Sequence, residues 1–326
     1  MMKWPAEWER HEAVWIGFPG NPAEWPDGLA EAQREVAAFA NAICDDGDGE
    51  RVILVCRDQK DADLAKALAH DPVQITIEPF GDIWLRDTGP IITVGGDGSK
   101  AHDFRFNGWG GKFEMAGDQD IGARLARSFN LPVYGHDWVL EGGAIDGDGE
   151  GNLLTTEQCV LNRNRNEGMT QARVAENLLE SLCIRNITWL GDGLKADHTD
   201  GHVDNLARFV GARTVAIPKA NDTDDPNSAI FEDAARRVVA SGFNVVRLPS
   251  AGKYEIDGAV APASYMNFYI GNRVVAVPQY GAENDGRAIE EIAALFPDRK
   301  VVGLSSSALL RGGGSFHCIS QQIPKS

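Results

Sequence analysis

Apolar positions recur along the chain with two different periods. Spacings of three and four residues, the mark of an amphipathic helix, run through 28–44, 61–69, 119–130, 169–183, 230–242 and 286–296. Short apolar runs lie between them at 51–56, 73–79, 90–94, 153–161, 205–210, 214–218, 244–249, 266–278 and 300–305, and read as strands. Helices alternating with short strands predict an α/β chain. No low-complexity segment or linker divides it, so the 326 residues read as one domain over 1–326.

One polar stretch breaks this pattern. In DHTDGHVDNLARF (197–209), His198, Asp200, His202 and Asp204 fall on every second residue. On a strand they would share a face, and burying four ionisable groups together demands partners. Three readings stand side by side: a metal site, a solvated edge strand, or acid–base chemistry with His202 and Asp204 adjacent. Other polar signatures, at Asp87, Glu141, Asn267 and Cys318, are spaced from one another and from His202 by 54, 61, 65 and 51 residues. That rhythm suits similar strand–helix units, each delivering one loop to a common centre.

Charge narrows the ligand. The formal net charge is −17, which argues against a polyanion such as nucleic acid and is compatible with a cationic ligand. The N-terminus MMKWPAEWER has no apolar signal core, and no apolar run is long enough to span a membrane. The five cysteines are scattered, with no C-x-x-C pair. Free thiols in the cytoplasm are expected, without a structural zinc site.

Three further stretches carry candidate chemistry. RGGGSFHCISQQIP (311–324) sets three glycines before Cys318, where glycine permits a close backbone approach and a thiol can serve as nucleophile. DIWLRDTGP (82–90) places Trp84 and Asp87 before a turn, and LEGGAIDGDGEGNLL (140–154) places Glu141 before two glycines. Taken singly, each acid fits a capping or turn role. Taken together, a thiol, a histidine and several acids suit covalent catalysis on a cation. Asp146, Asp148, Glu150 and Glu157 come near a calcium-loop pattern, but strand-like flanks make a Gly/Asp hairpin the better reading.

In order, PAEWERHEAVWIGFP, DIWLRDTGP, FNGWGGK, LEGGAIDGDGEGNLLTTEQCVLNRNRN, TDGHVDNLARF, PASYMNFYI and GGGSFHCISQQ resemble the agmatine deiminases, within the family they share with bacterial peptidyl-arginine deiminases. The resemblance runs nearly end to end. It implies a five-bladed α/β propeller of pseudo-repeated ββαβ units around a central pocket. It also implies guanidine hydrolysis by a cysteine, without metal or organic cofactor, and is compatible with a homo-oligomer. By position, Cys318 matches the nucleophile, His202 the acid–base and Glu141 the carboxylate paired with that histidine. Asp87 and Asp204 match the acids that grip the guanidinium, and Trp84 an aromatic of the substrate channel. Asp200 is also expected to touch substrate.

GGGSFHC departs from the GGGNIHC typical of agmatine deiminases. His198, by strand parity, faces the far end of the substrate. The expected reaction is agmatine plus water to N-carbamoylputrescine plus ammonia. The alternatives are arginine or peptidyl-arginine as substrate, a metal-dependent hydrolase built on His198, Asp200, His202 and Asp204, and a non-catalytic binding propeller.

Overall fold

A strand, its antiparallel partner, a helix and a parallel third strand follow one another repeatedly along the chain. The computed structural model describes residues 2–26, 28–222 and 224–326. In the first such unit Ile91–Gly95 pairs antiparallel with Gly98–Arg105, and helix Ile121–Ser128 crosses to the parallel strand Val133–Val139. Ile145–Gly147, Asn152–Thr156, helix Gln171–Leu182 and Asn186–Leu190 make the second. Arg208–Gly211, Thr214–Lys219, helix Ser228–Ala240 and Asn244–Pro249 make the third. Tyr269–Ile270, Val274–Gln279, helix Asp285–Leu295 and Lys300–Ser305 make the fourth.

A further unit joins the two ends of the chain. Ser320–Pro324 pairs antiparallel with His11–Gly17, and helix Leu29–Cys44 leads to the parallel strand Val52–Cys56. A second crossover, Gln59–Leu68, adds Gln74–Ile77 at the edge. The result is a mixed α/β fold. Parallel pairing requires such a helical crossover, and the middle strands carry continuous apolar runs because both faces are covered. VILVC (Val52–Cys56) is buried throughout. Among the described residues, no helix is long and apolar enough to cross a membrane.

Three expected strands are revised. In 266–278, Tyr265–Asn267 is a 3₁₀ turn and the rest is a hairpin of Tyr269–Ile270 and Val274–Gln279. In 153–161 the strand ends at Thr156, and Glu157–Val160 forms one helical turn. Thr156 stops the strand by accepting the Cys159 amide on Oγ1 at 3.3 Å. The stretch 197–209 is not a strand until Arg208. Asp197 Oδ1 folds it into a turn by accepting the Thr199 amide and hydroxyl at 2.9 and 2.6 Å. Asp200 and Gly201 follow with positive φ, and Val203–Asn205 is a 3₁₀ turn. Strand parity therefore does not order the side chains here. The declined calcium loop is a turn: Asp148 Oδ1 accepts the Glu150 and Asn152 amides at 2.8 and 3.0 Å.

Asp146 belongs to a buried ion cluster that ties distant segments together. Arg208, wholly buried, donates from Nε to Asp146 Oδ2 at 2.6 Å and from Nη2 to Glu7 Oε2 at 2.7 Å. Its Nη1 donates to the Met266 and Phe268 carbonyls at 3.1 and 3.0 Å. Removing one member of such a cluster leaves the others charged and unpaired. Arg208→Ala is therefore expected to cost about 3–5 kcal/mol, read as a lower urea midpoint, whereas an unchanged midpoint would show that the cluster contributes nothing.

Candidate active site

The C-terminal turn sets the thiol in place. Gly313, at φ 116°, ends helix Ser307–Gly312 in a left-handed cap. At Gly314 a side chain is impossible: its Cβ would lie 2.6 Å from the Trp84 ring and 3.1 Å from Cys318 Sγ. Phe316 stacks on Phe39 of the first long helix, with ring centroids 4.7 Å apart, and anchors the segment in the core. Asn267 then holds Cys318 at two points. Its Oδ1 accepts the Cys318 amide at 3.2 Å and its Nδ2 lies 3.1 Å from Sγ.

Two carboxylates face this thiol from other units. Asp87, on the short helix Leu85–Thr88, accepts Trp109 Nε1 on Oδ2 and the Gly143 amide on Oδ1, each at 2.9 Å. Asp204, on the 3₁₀ turn, faces His317 Nδ1 through Oδ2 at 2.8 Å, and the same oxygen lies 3.7 Å from Cys318 Sγ. Its Oδ1 is buried with no hydrogen-bond partner. His202 Nδ1 sits 3.8 Å from Asp87 Oδ1, and its ring also meets the Cys159 thiol. Gly143 marks where these groups converge. A Cβ there would be 2.6 Å from His202 Nδ1, 2.9 Å from Asp87 Oδ1 and 3.1 Å from Asp204 Oδ2.

Burial and charge set the protonation states. Burial pushes the Cys318 thiol well up, and the charges of Asp204 and then Asp87 push it further. Burial raises Asp87, partly offset by His202. Burial alone would raise Asp204, but the hydrogen bond and charge of His317 outweigh it and leave the group lowered. Burial alone would lower His202, but Asp87, Cys159 and Glu141 together raise it well above its ordinary value. These directions favour a thiol at Cys318, an imidazolium at His202 and a carboxylate at Asp204.

A cavity of about 190 Å³ opens onto this cluster. Trp84, Asp87, Trp109 and Cys318 line its buried part, and exposed His198 and Arg311 line its mouth. Asp82 lies on the wall between, beside Glu24. Burial, with Glu24 and Asp118 adding to it, raises Asp82 to about 7. Arg311 Nη1 is paired with Asp257 at 2.9 Å.

Of the residues singled out from sequence, Cys318, Asp87 and Trp84 line the cavity, with His202 and Asp204 packed against them. Asp200 is the exception. Its Oδ1 takes Lys112 Nζ at 2.6 Å, and its Oδ2 takes Asn164 Nδ2 and Arg165 Nη1 at 2.9 and 2.5 Å. It does not line the cavity. Glu141 Oε1 receives Arg165 Nε at 2.6 Å and does not hydrogen-bond His202, although the two approach within 4.8 Å. Among the described residues, His198, Asp200, His202 and Asp204 do not gather into a metal-binding group; Glu141, Cys159 and His202 do.

Sequence reasoning missed several supporting groups. His317 Nε2 faces Glu7 Oε2 at 2.8 Å, which links Asp204 to the Arg208 cluster. His317 had a signal in its place next to Cys318, whereas Glu7, 310 residues away in sequence, had none. Arg165, which braces both Glu141 and the Thr199 carbonyl, was hidden in the polar run LNRNRN.

Comparison with known proteins places this geometry in context. The Porphyromonas-type peptidyl-arginine deiminase family matches residues 3–324. The agmatine deiminase of Stutzerimonas stutzeri is 34% identical, over 98% of this chain and 95% of its own length. The structure of the agmatine deiminase of Enterococcus faecalis superposes with a TM-score of 0.92 at 31% identity, covering 99% of this chain and 96% of that one. An agmatine deiminase of C. jejuni, solved with substrate bound, gives a TM-score of 0.93 at 29% identity over 100% and 97% of the two chains.

Proposed function

Because the chain belongs to the Porphyromonas-type peptidyl-arginine deiminase family, we propose that it is an enzyme that hydrolyses agmatine to N-carbamoylputrescine and ammonia through a covalent bond to Cys318. On this reading residues 1–326 form one catalytic domain, and the repeated ββαβ units are the five blades of a propeller around the cavity. The observation that carries the chemistry is the convergence of Cys318, His202, Asp87 and Asp204, with Cys318 and Asp87 lining the cavity.

A guanidinium is planar and presents paired N–H donors that carboxylates accept in charge-assisted bonds. Asp204 offers a buried oxygen with no other partner, and Asp87 lies across from it. The bound cation cancels the negative potential that holds the thiol up, so substrate itself promotes loss of the Cys318 proton to solvent. Fixing the carbon against Sγ supplies the proximity contribution.

Sγ then attacks the guanidinium carbon. The imidazolium of His202 gives a proton to the departing nitrogen, which leaves as ammonia, and a thiouronium remains on Cys318. Neutral His202 next takes a proton from water as its oxygen attacks the same carbon. The carbon–sulfur bond breaks, the remaining hydroxyl proton passes to solvent, the neutral ureido product leaves and the thiolate returns. Glu141 and Asp87 stabilise the imidazolium form. Trp84 walls the channel, its ring 6.3 Å from that of Trp25.

Asp82 and Glu24 suit the terminal ammonium of agmatine. Since Asp82 is raised to about 7, it gains charge as pH rises through that value. KM for agmatine is expected to fall as pH rises through about 7, and Asp82→Asn to flatten that limb. An identical pH dependence in the variant would remove Asp82 from tail recognition.

Arg311 at the mouth is the feature that favours an amino-acid substrate, since it offers a cation for an α-carboxylate. Its pairing with Asp257 and the acids beside it weigh the other way. A panel of agmatine, arginine and a peptidyl-arginine, scored for ammonia and ureido product, separates them. Agmatine is expected to give the highest kcat/KM. Preferential turnover of arginine would replace the substrate and keep the mechanism.

A further inference from the structure

Cys159 makes and breaks no bond in that chemistry, yet it sits against its centre and helps raise His202. Glu141, Cys159 and His202 are all buried, and one ligand atom from each lies within 4.8 Å of the others. They come from three different segments that are held together by hydrogen bonds. Thr156 Oγ1 accepts the Cys159 amide at 3.3 Å and donates to the Gly201 carbonyl, next to His202, at 2.6 Å. Arg165 fixes Glu141 through Oε1 at 2.6 Å. His202 is 1% exposed, and its ring interacts directly with the Cys159 thiol. A buried imidazole, a thiol and a carboxylate thus bring one nitrogen, one sulfur and one oxygen donor to a single point.

We propose that Glu141, Cys159 and His202 form an inhibitory binding site for a borderline-soft divalent cation of the Zn²⁺ type. The donors are one nitrogen, one sulfur and one oxygen, the mixture such ions take in four-coordinate sites, at about 2.0–2.3 Å. Mg²⁺ and Ca²⁺ prefer oxygen ligands alone and are not expected to bind. Three protein ligands leave the fourth position to water. On binding, the ion sheds water molecules, Cys159 Sγ releases its proton to solvent, and His202 coordinates as the neutral imidazole. The bound ion occupies the group that must give and take protons, and turnover stops.

The inhibitory half of this inference rests on His202 acting as acid–base; the binding half does not. Co²⁺ serves as a spectroscopic probe, because a cobalt–thiolate bond produces a charge-transfer band. Wild type and Cys318→Ala are expected to show that band, and Cys159→Ala and Cys159→Ser to lose it. With Zn²⁺, agmatine turnover by wild type is expected to be inhibited and restored by chelator. The Cys159 variants should turn over agmatine and require at least tenfold more Zn²⁺ for the same inhibition. A band that survives in both Cys159 variants and vanishes in Cys318→Ala would overturn the site, as would failure of wild type to bind Co²⁺ at all. Binding at Cys159 without inhibition would overturn the inhibitory claim and the role given to His202, while agmatine deimination itself is judged by the substrate panel.

Discussion

Replacing Cys318 by alanine is expected to lower kcat by about 10⁴-fold or more, the scale seen when a covalent nucleophile is removed, while agmatine still binds. The two halves of this expectation have separate structural causes. Turnover depends on the sulfur, since no other described thiol lines the cavity. Binding depends on Asp87 and Asp204, whose hydrogen bonds to Trp109, Gly143 and His317 do not involve Sγ. Ammonia release measures the first and calorimetric titration with agmatine the second. Residual activity within tenfold of wild type would mean that the carbon is attacked by something else, such as water activated by His202.

The Asp204→Asn variant is expected to move two readouts in opposite directions. It keeps the shape of the side chain and removes its charge. The clamp on the guanidinium then loses one of its two anions, and breaking a buried charge pair costs about 2–5 kcal/mol. A loss of kcat/KM of about 30- to 5,000-fold follows from that range. The free thiol should behave the other way. Burial and then the Asp204 charge hold the Cys318 thiol up, so removing that charge lowers its pKa and increases the thiolate fraction at a given pH. Alkylation of Cys318 by iodoacetamide in the absence of substrate should therefore become faster in Asp204→Asn, in the same preparation that turns over more slowly. Slower alkylation would show that the carboxylate does not repel the thiolate, and the substrate-assisted activation of Cys318 would fall with it.

The sequence made the helices legible because each buries a stripe at helical spacing. In Leu29–Cys44, for example, Val36, Phe39, Ala40 and Ile43 are all buried. Four middle strands were legible for a similar reason, as apolar runs within 51–56, 153–161, 214–218 and 266–278. His11–Gly17 and Gly98–Arg105, also central in their sheets, were missed, as were several outer strands. VYGHDWV (Val133–Val139) exposes Tyr134, Gly135 and Asp137 and carries little apolar signal. In the cavity, Cys318 was legible from its glycines, whose need is now explicit at Gly314, and Asp87 and Trp84 from their motif.

The stretch 197–204 misled for a physical reason. Polar residues two apart arise on a strand, but they also arise in a turn where Asp and Thr side chains satisfy the backbone, as Asp197 and Thr199 do here. The periodicity is the same and the geometry is not. Asp200, expected to touch substrate, does not line the cavity and pairs with Lys112 and Arg165. The braces behind the site were beyond reach of any local pattern. Glu7 meets His317 and Arg208 only after the chain has closed on itself.

The most direct test is the mass of the enzyme quenched by acid during agmatine turnover. Covalent catalysis by Cys318 predicts a thiouronium-type adduct on the peptide containing that residue, absent from Cys318→Ser. Enzyme quenched at steady state with an adduct on a different side chain, together with a Cys318→Ser variant that still releases ammonia at the wild-type rate, would contradict it.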